Sequence, residues 1–372
     1  MYAQLTKKLK ILLTIVVIIA IGATLYYFKH KTNINKTAIP ITQTTTLPEN
    51  KVDINIEKPT ETITNNPVSK PKPVPLPIGT DRFIVSLKDT SANIASNLFD
   101  QGYINDKNSF ISLISGIDGK SIILPGGYKI SKEMNPSQLV QVLRGKAYMK
   151  WIVIPEGLRK EEIATILADT LGWTAKQKDE WIKTDTATKP EYIEGVYSPD
   201  TYLIPVDESP ALVATRLISK FNEKFAPYLS LFTSQNIKWT TGLTLASIVQ
   251  RESANDADAP LIAGILWNRL HQNMKLEVDA TLQYVRGNTG NGWWAPISIA
   301  DKKIDSPYNT YMHTGLPPHP ISNPGIPAIE AVLNPTKTDC LYYLHDKNHI
   351  THCAATYDEH LANIDKYLKN NS

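Results

Sequence analysis

Apolar residues beyond residue 80 follow two different spacings, and together these spacings predict an α+β fold. FIVSLKDTSANIASNLFDQG (83–102) and WIVIPEGLRKEEIATILADTLG (151–172) each begin with an apolar run typical of a strand and continue with apolar positions at helical spacing. They form a weak repeat of strand, turn and helix, in which Gly172 is expected to end the second helix. Units of this size are usually binding or packing modules.

Capping and turn residues mark further elements. Asn135, followed by proline, predicts the start of a helix over 136–144, and Gly126 and Gly127 predict a turn. Apolar spacing predicts further helices at 175–183, 210–224, 243–253, 260–270 and 357–369. Between the last two helices the chain is expected to form loops and short strands. A long irregular stretch inside a compact domain is usually functional.

The first 80 residues differ in composition from the rest. Residues 11–28, ILLTIVVIIAIGATLYYF, carry no charge and are long enough to cross a bilayer core as a helix. A cleaved signal peptide is the alternative, but no small-x-small site follows closely. We therefore expect an uncleaved single-pass anchor, with residues 1–10 in the cytoplasm and the bulk of the chain outside. Residues 29–80, rich in proline and threonine, are expected to be a disordered tether with a contour length of ~150 Å.

The overall composition is that of an ordinary globular protein, with 42% hydrophobic and 20% charged residues. Lysines concentrated in residues 1–36 account for the positive net charge of +3, so the charge balance gives no indication of nucleic-acid binding. There is no Gly-rich phosphate loop and no Gly-x-Ser-x-Gly motif, and the spacing of His345, His349 and His352 is not a familiar zinc pattern. We therefore predict no cofactor and no metal.

The two cysteines flank a predicted β-hairpin. Cys340 and Cys353 enclose LYYLHDKNHITH, which indicates two short strands joined by a polar turn. Outside the cytoplasm they could form a disulfide across the hairpin, or they could remain buried thiols. The predicted chemistry does not depend on either alternative.

A charged residue interrupts the apolar face of the helix in LASIVQRESA. Glu252 falls on the same helical face as Leu245, Ile248 and Val249. A half-buried carboxyl has a raised pKa, as a general acid near neutral pH requires. Glu252 is therefore a candidate catalytic acid. A buried salt bridge with an arginine such as Arg251 or Arg269, or a position simply at the edge of the apolar face, is the structural alternative.

Other polar and aromatic residues point to a carbohydrate ligand. Asn268 lies on an otherwise apolar helix face, where it is expected to share a pocket with Glu252 or to bond a loop carbonyl. The segment YNTYMHTGLPPHPISNPG (308–325) and the Trp-Trp pair at 293–294 combine aromatic and polar side chains in predicted loops. Surfaces of this kind stack against sugar rings and bond their hydroxyl groups.

Taken together, these segments resemble the MltG/YceG-like endolytic murein transglycosylase family. The resemblance covers about residues 81–370 and rests on the ordered set EGVYSPDTYLIP, LASIVQRESA, GILWNRLHQNMKLEVDATLQY, SPYNTYMHTGLPPHPISNPG, AIEAVLNP and TYDEHLANIDKYL. It implies a LysM-like subdomain over 81–172 and a catalytic domain over 173–372. A membrane anchor is also typical of the family.

The resemblance further implies a set of site residues. The family's A-S-I-[IV]-E-[KR]-E-[ST] helix aligns its second glutamate, the catalytic acid, with Glu252, while the first is Gln250 here and is therefore expected to be dispensable. Substrate-binding positions are implied at Asn268, Asp279, Thr281, Tyr308, Asn309 and Tyr311. The family's D-P-T motif appears with Ala280 in place of proline. A family histidine corresponds to His352, with its spacing to His360 shifted by about one residue.

The implied activity is endolytic cleavage of the MurNAc–GlcNAc β-1,4 bond of nascent peptidoglycan, leaving 1,6-anhydroMurNAc ends and ending glycan elongation at the bacterial cell membrane. One carboxyl suffices, because the sugar's own 6-hydroxyl replaces the water that ordinary glycoside hydrolysis must activate. Implied partners are glycan strands and cell-wall synthases. Two alternatives stay open: a water-using muramidase with Asp279 or Asp256 as second carboxylate, and a non-catalytic wall-binding scaffold.

Overall fold

The computed structural model describes residues 79–115 and 122–369, all within one compact unit. The predicted cytoplasmic tail, the membrane anchor and nearly all of the tether lie outside the described residues. Among the helices of the described ranges, none is both long enough and apolar enough to cross a membrane.

Strands and helices are mixed along the chain, which confirms an α+β fold. The strands are β1 (Asp81–Val85), β2 (Gly126–Ile130), β3 (Met149–Ile154), β4 (Asp200–Pro205), β5 (Tyr342–His345) and β6 (Thr351–Ala354). The α-helices are α1 (Ser91–Asp100), α2 (Lys107–Ile114), α3 (Pro136–Leu143), α4 (Lys160–Leu171), α5 (Ala175–Glu180), α6 (Pro210–Ser234), α7 (Trp239–Glu252), α8 (Ala259–His271), α9 (Asp279–Arg286), α10 (Ile326–Leu333) and α11 (Tyr357–Ile364). Short π-helical turns at Trp181–Asp185 and Asp365–Lys369 extend α5 and α11.

The first four strands form one antiparallel sheet in the order β1-β2-β3-β4. The central pair, β2 and β3, is joined only at Gly127 and Met149. Here the sequence interpretation was wrong, because Gly126 and Gly127 begin strand β2 and do not form a turn. The physical reason for glycine is close approach: a Cβ on Gly126 would lie 2.6 Å from the Ala147 Cβ and 2.7 Å from the Met149 carbonyl oxygen.

Two hydrophobic cores lie on either side of this narrow junction. The smaller is built from buried residues between Phe83 and Leu143, and the larger from residues between Ile152 and Leu333. Helix α4 of the second repeat buries its apolar face in the larger core. The division between cores therefore falls near residue 150, earlier than the boundary at 172 that the sequence predicts.

Local capping agrees with the sequence. The Asn135 side chain accepts a hydrogen bond from the Gln138 N–H at the start of α3, and Gly172 ends α4 with φ of 77°. Helices α9 and α10, each of eight residues, lie in the region expected to be irregular. They are too short, and too interrupted by loops, to give a sustained helical spacing.

The cysteines form a disulfide that closes the β5–β6 hairpin. Cys340 and Cys353 are bonded with their Cα atoms 5.8 Å apart, and Tyr343 is paired directly opposite Cys353. Of the two alternatives left open by the sequence, the disulfide is the one found. It fixes the hairpin strand that carries Tyr343.

We expect Gly126→Ala to lower the free energy of unfolding by about 1–3 kcal/mol, because the added methyl group overpacks a junction bounded by backbone. Chemical denaturation checks this. Val153→Ala is the control: this side chain on β3 is 52% exposed, and its truncation should change the same quantity by less than about 0.5 kcal/mol. Equal effects of the two substitutions would contradict the close-packing argument.

Candidate active site

The site is built around Glu252, the last residue of α7. The helix buries Leu245, Ile248 and Val249 completely, and Glu252 continues the same face to the edge of the larger core. The helix ends there, since the Ser253 N–H still bonds the Val249 carbonyl but the backbone of Ser253 is extended. The carboxyl is consequently half-buried at the end of an apolar wall.

Two other segments converge on the Glu252 carboxyl. The Tyr343 hydroxyl of β5 donates a hydrogen bond of 2.6 Å to its Oε2, and the Ala280 N–H, in the first turn of α9, donates to the carboxylate. Burial raises the pKa of Glu252, and the charge of Asp279 raises this pKa further. Tyr343, His345 and the Ala280 N–H oppose this rise. The result is a carboxyl that favours its protonated form while retaining partners for its charged form.

The arginines of the structural alternative are engaged elsewhere. Arg251 stacks over the Trp294 ring, 3.9 Å from the ring centroid. Arg269 is buried and donates to the Leu341 carbonyl over 2.6 Å. Glu252 is therefore held by hydroxyl and backbone donors, and its carboxyl is not committed to a buried ion pair.

Asp279 and Tyr311 lie together beside this carboxyl. Asp279 begins α9, is exposed, and accepts a hydrogen bond from the Tyr311 hydroxyl. Tyr311 is half-buried. Of the predicted substrate-binding residues, these two are the ones whose contacts connect them to Glu252.

Thr281 and Asn309 are buried and hold the loop in place. The Thr281 hydroxyl donates to the Val278 carbonyl and lies 2.9 Å from the Thr310 hydroxyl. The Asn309 amide donates to the carbonyls of Lys302 and Ile304. Both side chains use their polar atoms on the protein itself, so they position the loop that carries Tyr311.

Asn268 has the contacts of a packing amide. Its side chain donates to the carbonyls of Thr338, over 2.7 Å, and Cys340, over 3.1 Å. It lines a pocket of about 740 Å³ formed with Trp267 and the segment 335–339, and Glu252 is not among the lining residues of that pocket. Of the two roles expected for Asn268 from the sequence, the hydrogen bond to a loop carbonyl agrees with these contacts better than a pocket shared with Glu252.

An aromatic and arginine wall adjoins the site. Arg159 packs against the rings of Tyr284 and Trp293, at 4.3 and 4.5 Å from their centroids. Tyr308 is half-buried and its ring lies 5.1 Å from that of Tyr284. The clustering of loop aromatics expected from the sequence is present. Its contact with the second strand–helix repeat, through Arg159, was not expected.

Glu194 is a second buried carboxyl that the sequence reasoning did not single out. It is completely buried and accepts hydrogen bonds from the Lys160 N–H and the Asn323 amide. Burial, together with the charge of Glu161, raises the pKa of Glu194 to about 7. A glutamate set among apolar residues in EGVYSPDTYLIP was the available signal, the same kind that identified Glu252.

The histidines of the hairpin have carboxylate partners. His345 lies 3.0 Å from the Asp258 carboxylate, and His352 lies 3.1 Å from that of Asp346 and stacks on the Tyr367 ring. Across residues 79–115 and 122–369, no group of three or more His, Cys, Asp or Glu side chains is arranged to hold a metal ion.

These features define an α+β protein with a candidate acid–base site around one half-buried glutamate, Glu252. The chain belongs to the YceG-like family, whose model matches residues 83–366. It is 31% identical over 297 residues to an endolytic murein transglycosylase of Bacillus subtilis (strain 168), covering 74% of this chain and 81% of that protein.

Two further relatives support the same grouping. An endolytic murein transglycosylase of Streptococcus pneumoniae serotype 2 is 30% identical over 254 residues, which cover 59% of this chain and 46% of that protein, so the match spans less than half of its length. The crystal structure of a putative YceG-like protein from Listeria monocytogenes aligns with a TM-score of 0.56 and 28% identity, covering 76% of this chain and 98% of the other.

We expect the raised pKa of Glu194 to appear in the pH dependence of stability. The folded carboxyl keeps its proton to higher pH than the unfolded one, so its contribution to the free energy of unfolding is full below about pH 4.5 and lost as pH rises through about 7. Between pH 4.5 and 8 the wild type should lose about 3 kcal/mol relative to Glu194→Gln. Urea denaturation of both proteins at several pH values measures this difference. A difference that stays constant would show that Glu194 titrates normally.

Proposed function

We propose that this protein is a lytic transglycosylase that cleaves the MurNAc–GlcNAc β-1,4 bond of nascent peptidoglycan and leaves 1,6-anhydroMurNAc ends. The observation that carries the proposal is the single half-buried Glu252 carboxyl, with its raised pKa and its adjoining aromatic wall. The names of the relatives from Bacillus and Streptococcus support the substrate and the reaction.

In the first half of the reaction, neutral Glu252 donates its proton to the glycosidic oxygen as the bond to the muramic acid anomeric carbon breaks. Burial against α7 favours this protonated state before substrate binds. The departing sugar leaves with a free 4-hydroxyl group.

In the second half, the Glu252 carboxylate accepts the proton of the 6-hydroxyl of the same muramic acid, whose oxygen bonds to the anomeric carbon. This step regenerates the neutral acid and consumes no water. The Tyr343 hydroxyl and the Ala280 N–H stabilise the intervening carboxylate. One side chain therefore serves as acid and then as base.

The remaining site residues divide by what they contact. Asp279 places a negative charge next to Glu252, where it can stabilise positive charge developing on the sugar ring. Tyr308 and Tyr311 offer ring faces and hydroxyls to the glycan. Thr281 and Asn309 act by holding the loop, and Asn268 by holding the segment that leads into β5.

The proposal extends to the parts of the chain around the catalytic core. Residues 11–28 would anchor the protein in the bacterial cell membrane with the bulk of the chain outside, and the tether would let it reach newly made strands. The smaller core, in which α1, α2 and α3 pack with β1 and β2 around an apolar centre of their own, supports a LysM-like glycan-binding role for that portion of residues 81–172. Cell-wall synthases are the proposed protein partners.

A water-using muramidase is the second candidate function. The observation that favours it is the position of Asp279, an exposed carboxylate near Glu252 that could activate water. The two reactions give different termini: hydrolysis leaves reducing ends, whereas transglycosylation leaves anhydro ends. Mass spectrometry of the products from uncrosslinked nascent glycan separates them.

We expect Glu252→Gln to reduce glycan cleavage by about 100-fold to 10,000-fold, because the amide can neither donate nor accept the required proton. Appearance of anhydro termini, followed by mass spectrometry, is the measurement. Gln250→Glu is the matched control, two residues away on the same helix. Gln250 accepts a hydrogen bond of 2.8 Å from the Gly325 N–H. A carboxylate can accept the same bond, so activity should be retained.

Unchanged cleavage by a folded Glu252→Gln variant would remove the catalytic assignment. Lost cleavage with retained binding to cell-wall glycan would exclude the scaffold alternative.

A further inference from the structure

Tyr343 is a half-buried residue that neither the sequence motifs nor the family relationship assigned. It lies on β5, and its hydroxyl is 2.6 Å from Glu252 Oε2, across 91 positions of sequence. Burial, and then the neighbouring Glu252, raise the pKa of Tyr343 well above its ordinary value. The hydroxyl therefore remains protonated and available as a donor throughout the range in which Glu252 titrates.

The strand that carries Tyr343 is fixed on both sides. Tyr343 pairs with Cys353 in the hairpin, and Cys353 is bonded to Cys340 three residues before Tyr343. The Leu341 N–H also bonds the Ala354 carbonyl, and Arg269 of α8 donates to the Leu341 carbonyl. The disulfide therefore closes a loop of the chain, residues 340–353, and Tyr343 lies within this loop.

We propose that Tyr343, held by the disulfide-closed hairpin, is the positioning residue that orients the Glu252 carboxyl for its two proton transfers. This inference rests on the proposed transglycosylase function. A hydroxyl donor directed at Oε2 favours the proton of the neutral acid on Oε1. The Tyr343 hydroxyl and the Ala280 N–H then hold the carboxyl in place, and the proton on Oε1 is the one exchanged with the sugar.

The same hydrogen bond offsets part of the rise in the pKa of Glu252 that burial causes. A hydrogen bond from a neutral donor to a charged acceptor is among the stronger ones, and it stabilises the ionised form selectively. The other groups facing Glu252 are the Asp279 carboxylate and Ala280 N–H of α9, His345 of β5, and Arg251 of its own helix. Arg269 and Tyr311 face Tyr343. Removing the Tyr343 hydroxyl changes none of these charges.

We test the proposal with Tyr343→Phe in the full chain, measuring kcat and KM against pH on uncrosslinked nascent glycan. The expected result is a fall in kcat of about tenfold with KM little changed, and a displacement of the alkaline limb of the pH profile to higher pH by about one unit. The limb moves upward because loss of the donor disfavours the carboxylate, so Glu252 stays protonated longer.

Tyr342→Phe is the matched control. Its side chain belongs to the neighbouring position of the same strand and packs against the rings of Tyr357 and His360. Its loss of a hydroxyl should leave both kcat and the pH profile unchanged. If Tyr343→Phe lowers kcat without moving the limb, the residue is only structural, and the proposal is overturned; an unchanged kcat and limb overturns it as well.

The role of the disulfide is tested by whether its removal and the Tyr343→Phe substitution have additive effects on kcat. Replacing both Cys340 and Cys353 by serine should lower kcat several-fold in the wild-type background but have little further effect in the Tyr343→Phe background. Equal losses in both backgrounds would overturn the bracing role of the hairpin. Circular dichroism and thermal melting verify that each variant is folded.

Failure of this inference is distinguishable from failure of the proposed function. Reducing ends, or no new ends, from the wild-type protein would refute the transglycosylase reaction itself, whatever the Tyr343 variants do. Anhydro ends from the wild type, combined with an unshifted profile for Tyr343→Phe, would refute only the positioning role.

Discussion

The proposed reaction depends on keeping the Glu252 carboxyl partly out of water while leaving it able to exchange a proton. Helix α7 provides the apolar wall, and its last residue, Glu252, is the first position where the buried face meets solvent. Complete burial would prevent contact with substrate, and full exposure would return the pKa to its ordinary value. The edge of a core satisfies both requirements, and at this helix end the carboxyl accepts from donors on α9 and β5.

Short helix α9 connects the acid to the aromatic wall. Its first turn presents Asp279 and the Ala280 N–H to Glu252, and farther along the helix Tyr284 packs against Arg159 from the second strand–helix repeat. Arg159 lies at the start of α4, whose apolar face belongs to the larger core. The helix of the second strand–helix repeat therefore packs in the same core as α7, the helix that carries Glu252.

What the sequence predicted correctly was local. The helical face that carries Glu252 and the cap at Asn135 depend on residues within one or two turns, and a single sequence contains that information. Tyr343 could not be found this way, because its contact with Glu252 joins two residues that lie 91 positions apart in the sequence. Asn268 shows a different limit of the sequence. A polar residue on an apolar helix face does indicate a buried partner, but the helical spacing cannot tell whether that partner is a ligand or a backbone carbonyl.

The two buried glutamates show why a raised pKa alone does not identify a catalytic acid. Glu194 is completely enclosed, and backbone and amide donors from Lys160, Gly195 and Asn323 occupy its oxygens. Its carboxyl does not meet solvent, and its titration is expected to appear in the stability of the fold. Glu252 is half-buried at the edge of the core, where its carboxyl accepts from the Tyr343 hydroxyl and the Ala280 N–H. Partial exposure, and not the raised pKa by itself, is therefore the difference that supports the proposal of proton transfer by Glu252.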